Sequence, residues 1–148
     1  MIDLPPAVPA AHRTPPAGPP STLLLASEPQ SSAHARQFAR EFIGYHSPDA
    51  PRPHVDDVVL VTSELVTNSY RYGSEPGDMI RVVLHTNGLR TRVEAHDPVR
   101  RTPRLRSASA ECERGRGLVI LDALCAGLWG FGDRPFGKFV WAEVPWNN

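Results

Sequence analysis

Glu64 and Asn68 stand four residues apart in Ser63-Glu-Leu-Val-Thr-Asn68. On a helix that spacing puts both side chains one turn apart on a single face. Both can therefore reach a single small object in front of that face. Further on, Asp97 ends a run in which Leu89, Thr91, Val93 and Ala95 alternate with Arg90, Arg92, Glu94 and His96. Period two carries Asp97 onto the apolar face. A carboxylate there is costly without donors, so it meets a backbone amide, an arginine or a ligand N–H, or else it caps the turn before Pro98. A third feature is Arg114-Gly-Arg-Gly-Leu118, directly before an apolar run to Cys125. Glycines at a helix entrance let backbone N–H groups approach an anion, and glycine pairs also serve as plain turn punctuation. Glu64 and Asn68 likewise fit a polar pair on a solvated helix face.

Elements must hold these groups in place. Val55, Val58, Val59, Thr62, Leu65, Val66 and Ser69 form an apolar stripe that would set Glu64 and Asn68 at the border of a core. Pro53 suits the first turn of that helix, with Asp56 and Asp57 facing the positive end of the dipole. Arg71 falls in the last turn, and Gly73 suits a left-handed closing position. Upstream, residues 1–20 hold seven prolines, a composition that predicts a flexible or polyproline-like tail and leaves 21–148 as the domain. Ser21 to Ser27 predicts a first strand at a sheet edge. Ala35, Phe38, Ala39 and Phe42 predict a helix from Ser31 or Ser32 through Tyr45. Met79–Thr86 and Leu89–Asp97 form a hairpin through Asn87-Gly88. Residues 98–114 are arginine-rich without hydrophobic period, the pattern of a lid or binding loop. A helix stopping at Gly127 and two closing strands, 128–131 and 138–144, complete the chain. The expected fold is α/β, a two-layer sandwich whose mixed, mostly antiparallel sheet is covered on one face by about three helices.

The bulk numbers exclude several classes. At 148 residues the chain suits one sizeable core. Lysine plus arginine equal aspartate plus glutamate at 16 each, which argues against nucleic acid or an anionic membrane as the main partner. The two cysteines, Cys112 and Cys125, form neither a disulfide framework nor a metal motif, and the six histidines are scattered singly. No stretch approaches the roughly 18 apolar residues of a membrane span. A cytoplasmic location is expected.

Glu64 with Asn68, then Asp97 before a long loop, then Gly115-Arg-Gly117 opening a helix, occur in a fixed order. With them the chain resembles the histidine-kinase-like ATPases (the GHKL group, with the Bergerat ATP-binding fold). Within that group it is similar to the small bacterial anti-sigma-factor serine/threonine kinases and their actinobacterial relatives. The resemblance covers about residues 21 to 145, and Ser-Glu-Leu-Val-Thr-Asn is its most specific block. It implies ATP and Mg²⁺ as cofactors. Asn68 would bind Mg²⁺ bridging the phosphates, and Asp97 would accept a hydrogen bond from the adenine amino group. Gly115, Gly117 and the adjoining Leu118 would let the lid and helix start close over the phosphates, with Arg114 or Arg116 adding charge. Glu64 would be the general base toward a serine or threonine hydroxyl of a partner protein. The implied partners are an anti-sigma-factor antagonist and a sigma factor, and relatives form homodimers. A non-catalytic module that sequesters its partner, with weak or no ATP turnover, is the alternative. Two positions depart from the family pattern. Asp97-Pro-Val-Arg-Arg101 lacks the glycines usual after the aspartate, and Phe139 stands where relatives often have a threonine that helps bind adenine, so its ring would narrow the base pocket or repack it.

Overall fold

In chain order the computed structural model sets β1 (Thr22–Ala26), α1 (Ser31–His46), α2 (Arg52–Asn68), a π turn (Ser69–Gly73), β2 (Met79–Thr86), β3 (Arg90–Asp97), α3 (residues 119–125), β4 (Trp129–Arg134) and β5 (Gly137–Pro145). It describes residues 18–98, 119–135 and 137–146. The expected lid and the residues Arg114 to Leu118 lie outside that set, as does the tail up to residue 17.

The strands form one five-stranded sheet in the order β1-β2-β3-β5-β4, and every pair is antiparallel. Local chemistry sets the central hairpin. Asn87 Oδ1 accepts the backbone N–H of Leu89 at 2.9 Å and of Arg90 at 3.1 Å, and Gly88 takes φ +84°. Alternation then sorts the faces. Ile80, Val82 and Leu84 of β2, Val93 and Ala95 of β3, and Val140, Ala142 and Val144 of β5 are buried beneath the helices. α2 is covered from two sides, by the sheet and by α1, so Val61 and Ser63 are buried along with the predicted stripe from Val58 on, while Val55 is half-buried. α3 buries Leu121 and Cys125 at helical spacing, and Trp129 Nε1 at the start of β4 donates to Asp122 Oδ1 at 2.6 Å. Its exit follows the expected stop: Ala126 and Gly127 are both left-handed.

Two details of α2 differ from expectation. Its first turn holds no acidic residue; the helix starts at Arg52, so Asp56 and Asp57 lie beyond the reach of the N-terminal dipole. Nor does Gly73 close the helix in a left-handed conformation. After Asn68 the helix widens into the π turn, and Ser74, in extended conformation, ends it. Ser74 Oγ donates to the Ser69 carbonyl at 2.8 Å, tying the end of the turn to its start.

At the sheet end remote from Asp97, a buried histidine ties three segments together. His54 is 2% exposed. Its Nδ1 faces the Pro145 carbonyl at 3.2 Å, which only accepts, so Nδ1 carries the proton and Nε2 accepts from Thr91 Oγ1 at 2.8 Å. Thr91 continues to Thr86 at 3.1 Å and Thr86 to Ser47 at 3.2 Å.

The sheet's other face has no helix over it among the described residues. Across β3 and β5 it carries a charged ladder: Arg90 to Glu143 at 2.9 Å, Arg92 to Glu143 at 3.0 Å, Arg92 to Glu94 at 2.7 Å and His96 to Glu94 at 2.8 Å. Arg92 also lies 4.6 Å from the centre of the Trp141 ring.

Candidate functional site

The π turn and the end of β3 meet at one carboxylate. Asp97 is 4% exposed, on the helix-covered face as the alternation predicts. It does not cap the following turn outward. Ser69 Oγ, itself 3% exposed, donates to Asp97 Oδ2 at 2.9 Å. Gly73 lies against the same carboxylate so closely that a β-carbon there would collide with its oxygens. That close approach, rather than a left-handed backbone, is what the glycine provides.

In front of Asp97 is a cavity of about 10 Å³ lined by Asn68, Tyr72, Gly73, Asp97, Lys138 and Val140. That is room for a single water. The structure therefore brings Asn68 and Asp97, far apart in sequence, to one opening. Glu64 sits one turn earlier on α2, half-buried, and is not among the residues lining the cavity. Arg114, Gly115, Arg116, Gly117 and Leu118 lie outside the described residues.

Phe139 is not at the cavity. In the β3–β5 register it faces His96, one residue off from the Asp97–Lys138 pair. Its ring stacks on the His96 ring, centroids 4.8 Å apart and planes 16° apart, on the uncovered face. The residues of β5 that share the cavity with Asp97 are Val140 and Lys138, the latter the chain's single lysine. Extending the buried Val144, Ala142, Val140 alternation back by two residues would have found it. Ser69 gave a weaker signal, since on a regular helix it belongs to the apolar stripe. Tyr72 gave none.

On the far side of β3 the charged ladder sets the electrostatics. Burial pushes the Glu94 carboxyl up, but hydrogen bonds from Arg92 and His96 outweigh it and hold the group below its ordinary value. Glu94 is thus charged at neutral pH, on the same strand that ends in Asp97.

Residues 25–128, more than half of the chain, match the family described as histidine kinase-like ATPase domain. A search of curated proteins finds no match. Among solved structures, the chain is similar to the histidine kinase domain of the blue-light activated histidine kinase of Erythrobacter litoralis EL346. The TM-score is 0.47 and identity 17%, over 78% of this chain and 60% of that one. The chain thus spans less than two thirds of the length of that domain.

Proposed function

Because the chain belongs to the histidine kinase-like ATPase domain family, we propose that it is an ATP-binding regulatory protein: an anti-sigma factor with serine/threonine kinase activity toward an anti-sigma-factor antagonist. A sigma factor is the other partner in this reading, and the protein acts as a homodimer in the cytoplasm. One observation carries it. Asn68 at the end of α2 and Asp97 at the end of β3 converge on a single cavity.

The residues fit an adenine nucleotide with Mg²⁺. A buried carboxylate lining a small cavity suits an N–H donor at the edge of a ring, the group an adenine presents. The Asn68 carboxamide oxygen would bind the metal, and Lys138 is placed to attract a polyanion. Bound Mg-ATP would supply the phosphoryl group. Glu64 would accept the proton of the attacking hydroxyl and pass it to solvent. Arg114, Gly115, Arg116, Gly117 and Leu118 would close over the phosphates.

A second reading, a partner-sequestering module with weak or no turnover, is favoured by the small size of the cavity. Titration calorimetry of Mg-ATP into the wild type and Asn68→Ala separates the two. Binding lost in the variant supports the nucleotide site. No binding to either protein, with both folded, leaves the sequestering module.

A further inference from the structure

The buried hydroxyl of Ser69 has no place in the chemistry above, yet it donates to the carboxylate that lines the cavity. Ser69 opens the π turn, and Gly73, which closes it, touches the same carboxylate. A regular α-helix bonds each N–H four residues back; the wider turn bonds five back, and such turns cluster at functional positions. Here it sets two residues of one turn against Asp97. One supplies a donor, the other supplies space.

A hydroxyl that donates to Oδ2 holds that oxygen as an acceptor and fixes the plane of the carboxylate. With Ser69 on one side and the Gly73 backbone on the other, the carboxylate keeps a single orientation toward Asn68, Tyr72 and Lys138. The geometry points to Ser69 as a positioning residue that makes the cavity selective for a base bearing an exocyclic amine over one bearing an oxo group. This rests on the nucleotide reading proposed above. An amine donates to a carboxylate held as an acceptor; an oxo group at the same place sets two acceptors against each other, and an unmade buried hydrogen bond is where polar sites gain discrimination. Ser69 touches neither ligand nor metal in this account and acts only through Asp97.

The test compares Mg-ATP with Mg-ITP, which carries an oxo group where adenine has its amine, on the full chain by titration calorimetry. Wild type, Ser69→Ala and Gly73→Ala are measured, with thermal unfolding run on each. Wild type is expected to prefer ATP. Ser69→Ala should weaken ATP about tenfold while ITP changes by less than about twofold, the size of a hydrogen bond to a charged group. Gly73→Ala, whose new methyl displaces the carboxylate oxygen to which Ser69 donates, should lose the same preference with the hydroxyl still present, and it decides the matter if Ser69→Ala does not fold. An unchanged ATP-to-ITP ratio in a folded Ser69→Ala protein overturns the assignment. So does an equal loss of both nucleotides, which makes Ser69 a folding residue only. Wild type that binds neither overturns the nucleotide reading itself.

Discussion

At Glu64, charge and shape can be separated. Glutamine keeps the size and polarity of the half-buried side chain but cannot take a proton. If Glu64 is the base, Glu64→Gln should leave Mg-ATP affinity intact and slow phosphoryl transfer to the partner roughly 10²- to 10⁴-fold. Transfer at the wild-type rate, measured with labelled ATP, would remove Glu64 from the chemistry. Phe139 gives a sharper test of register. Its ring lies on the His96 side of the sheet, so Phe139→Thr should leave nucleotide affinity unchanged, whereas Lys138→Ala should weaken it. The opposite result would mean that β5 sits one residue out of the register described. At this scale the sequence showed the types but not all the contacts. Glu64, Asn68 and Asp97 stand out because polar groups at the border of an apolar pattern are conspicuous. Ser69 does not, because its partner is 28 residues away and its orientation depends on a π turn that no helical periodicity announces.

Among the elements, the strand and helix order followed directly from pattern. Asn87-Gly88 names its own turn chemistry, and Ile80, Val82 and Leu84 name their own face. The junctions did not follow. His54 looked like one scattered histidine, yet it joins the start of α2 to β3 and to the last residue of β5. Burial lowers its pKa from the ordinary 6.5, only partly offset by the Pro145 carbonyl and by Asp57. The folded protein therefore holds His54 neutral while the unfolded chain takes up a proton. Stability from this group is complete above pH 6.5 and declines as pH falls toward the folded pKa, by about 1.4 kcal/mol per pH unit at most. Thermal unfolding between about pH 5 and 7 should show this decline. His54→Gln should flatten it while lowering stability at neutral pH, and an unchanged slope would place the titration elsewhere. The Cys125 thiol of α3, pushed up to about 11 by burial with help from Asp57 and Asp122, should stay unreactive to thiol reagents until the protein unfolds.

For the whole molecule, the core runs between α1, α2 and one face of the sheet, with Leu65 only 1% exposed near its centre. Leu65→Ala should cost about 2–5 kcal/mol in denaturant unfolding. Because α2 also carries Asn68, such a variant should lose ligand affinity at temperatures where it is still mostly folded. The opposite face of the sheet depends on charge instead. Hydrogen bonds from Arg90 and Arg92 hold Glu143 low against the push of burial, and Glu94 is low as well. Their contribution is present above the unfolded carboxylate value and is lost as pH falls through their lowered folded values. That window lies below the one set by His54. The pairs are partly exposed, so added salt should weaken this contribution.

The strict pleat of β3 therefore writes two unrelated requirements on alternate letters of one short word. A saturation scan of residues 91–97 scored for folding and ligand binding should return a comb. Its teeth would fall at Thr91, Val93, Ala95 and Asp97, which face the helices. Between them Arg92, Glu94 and His96 form a separate text, held to charge pairing rather than to the pocket, so substitutions there should register in folding and pH response before they register in ligand binding.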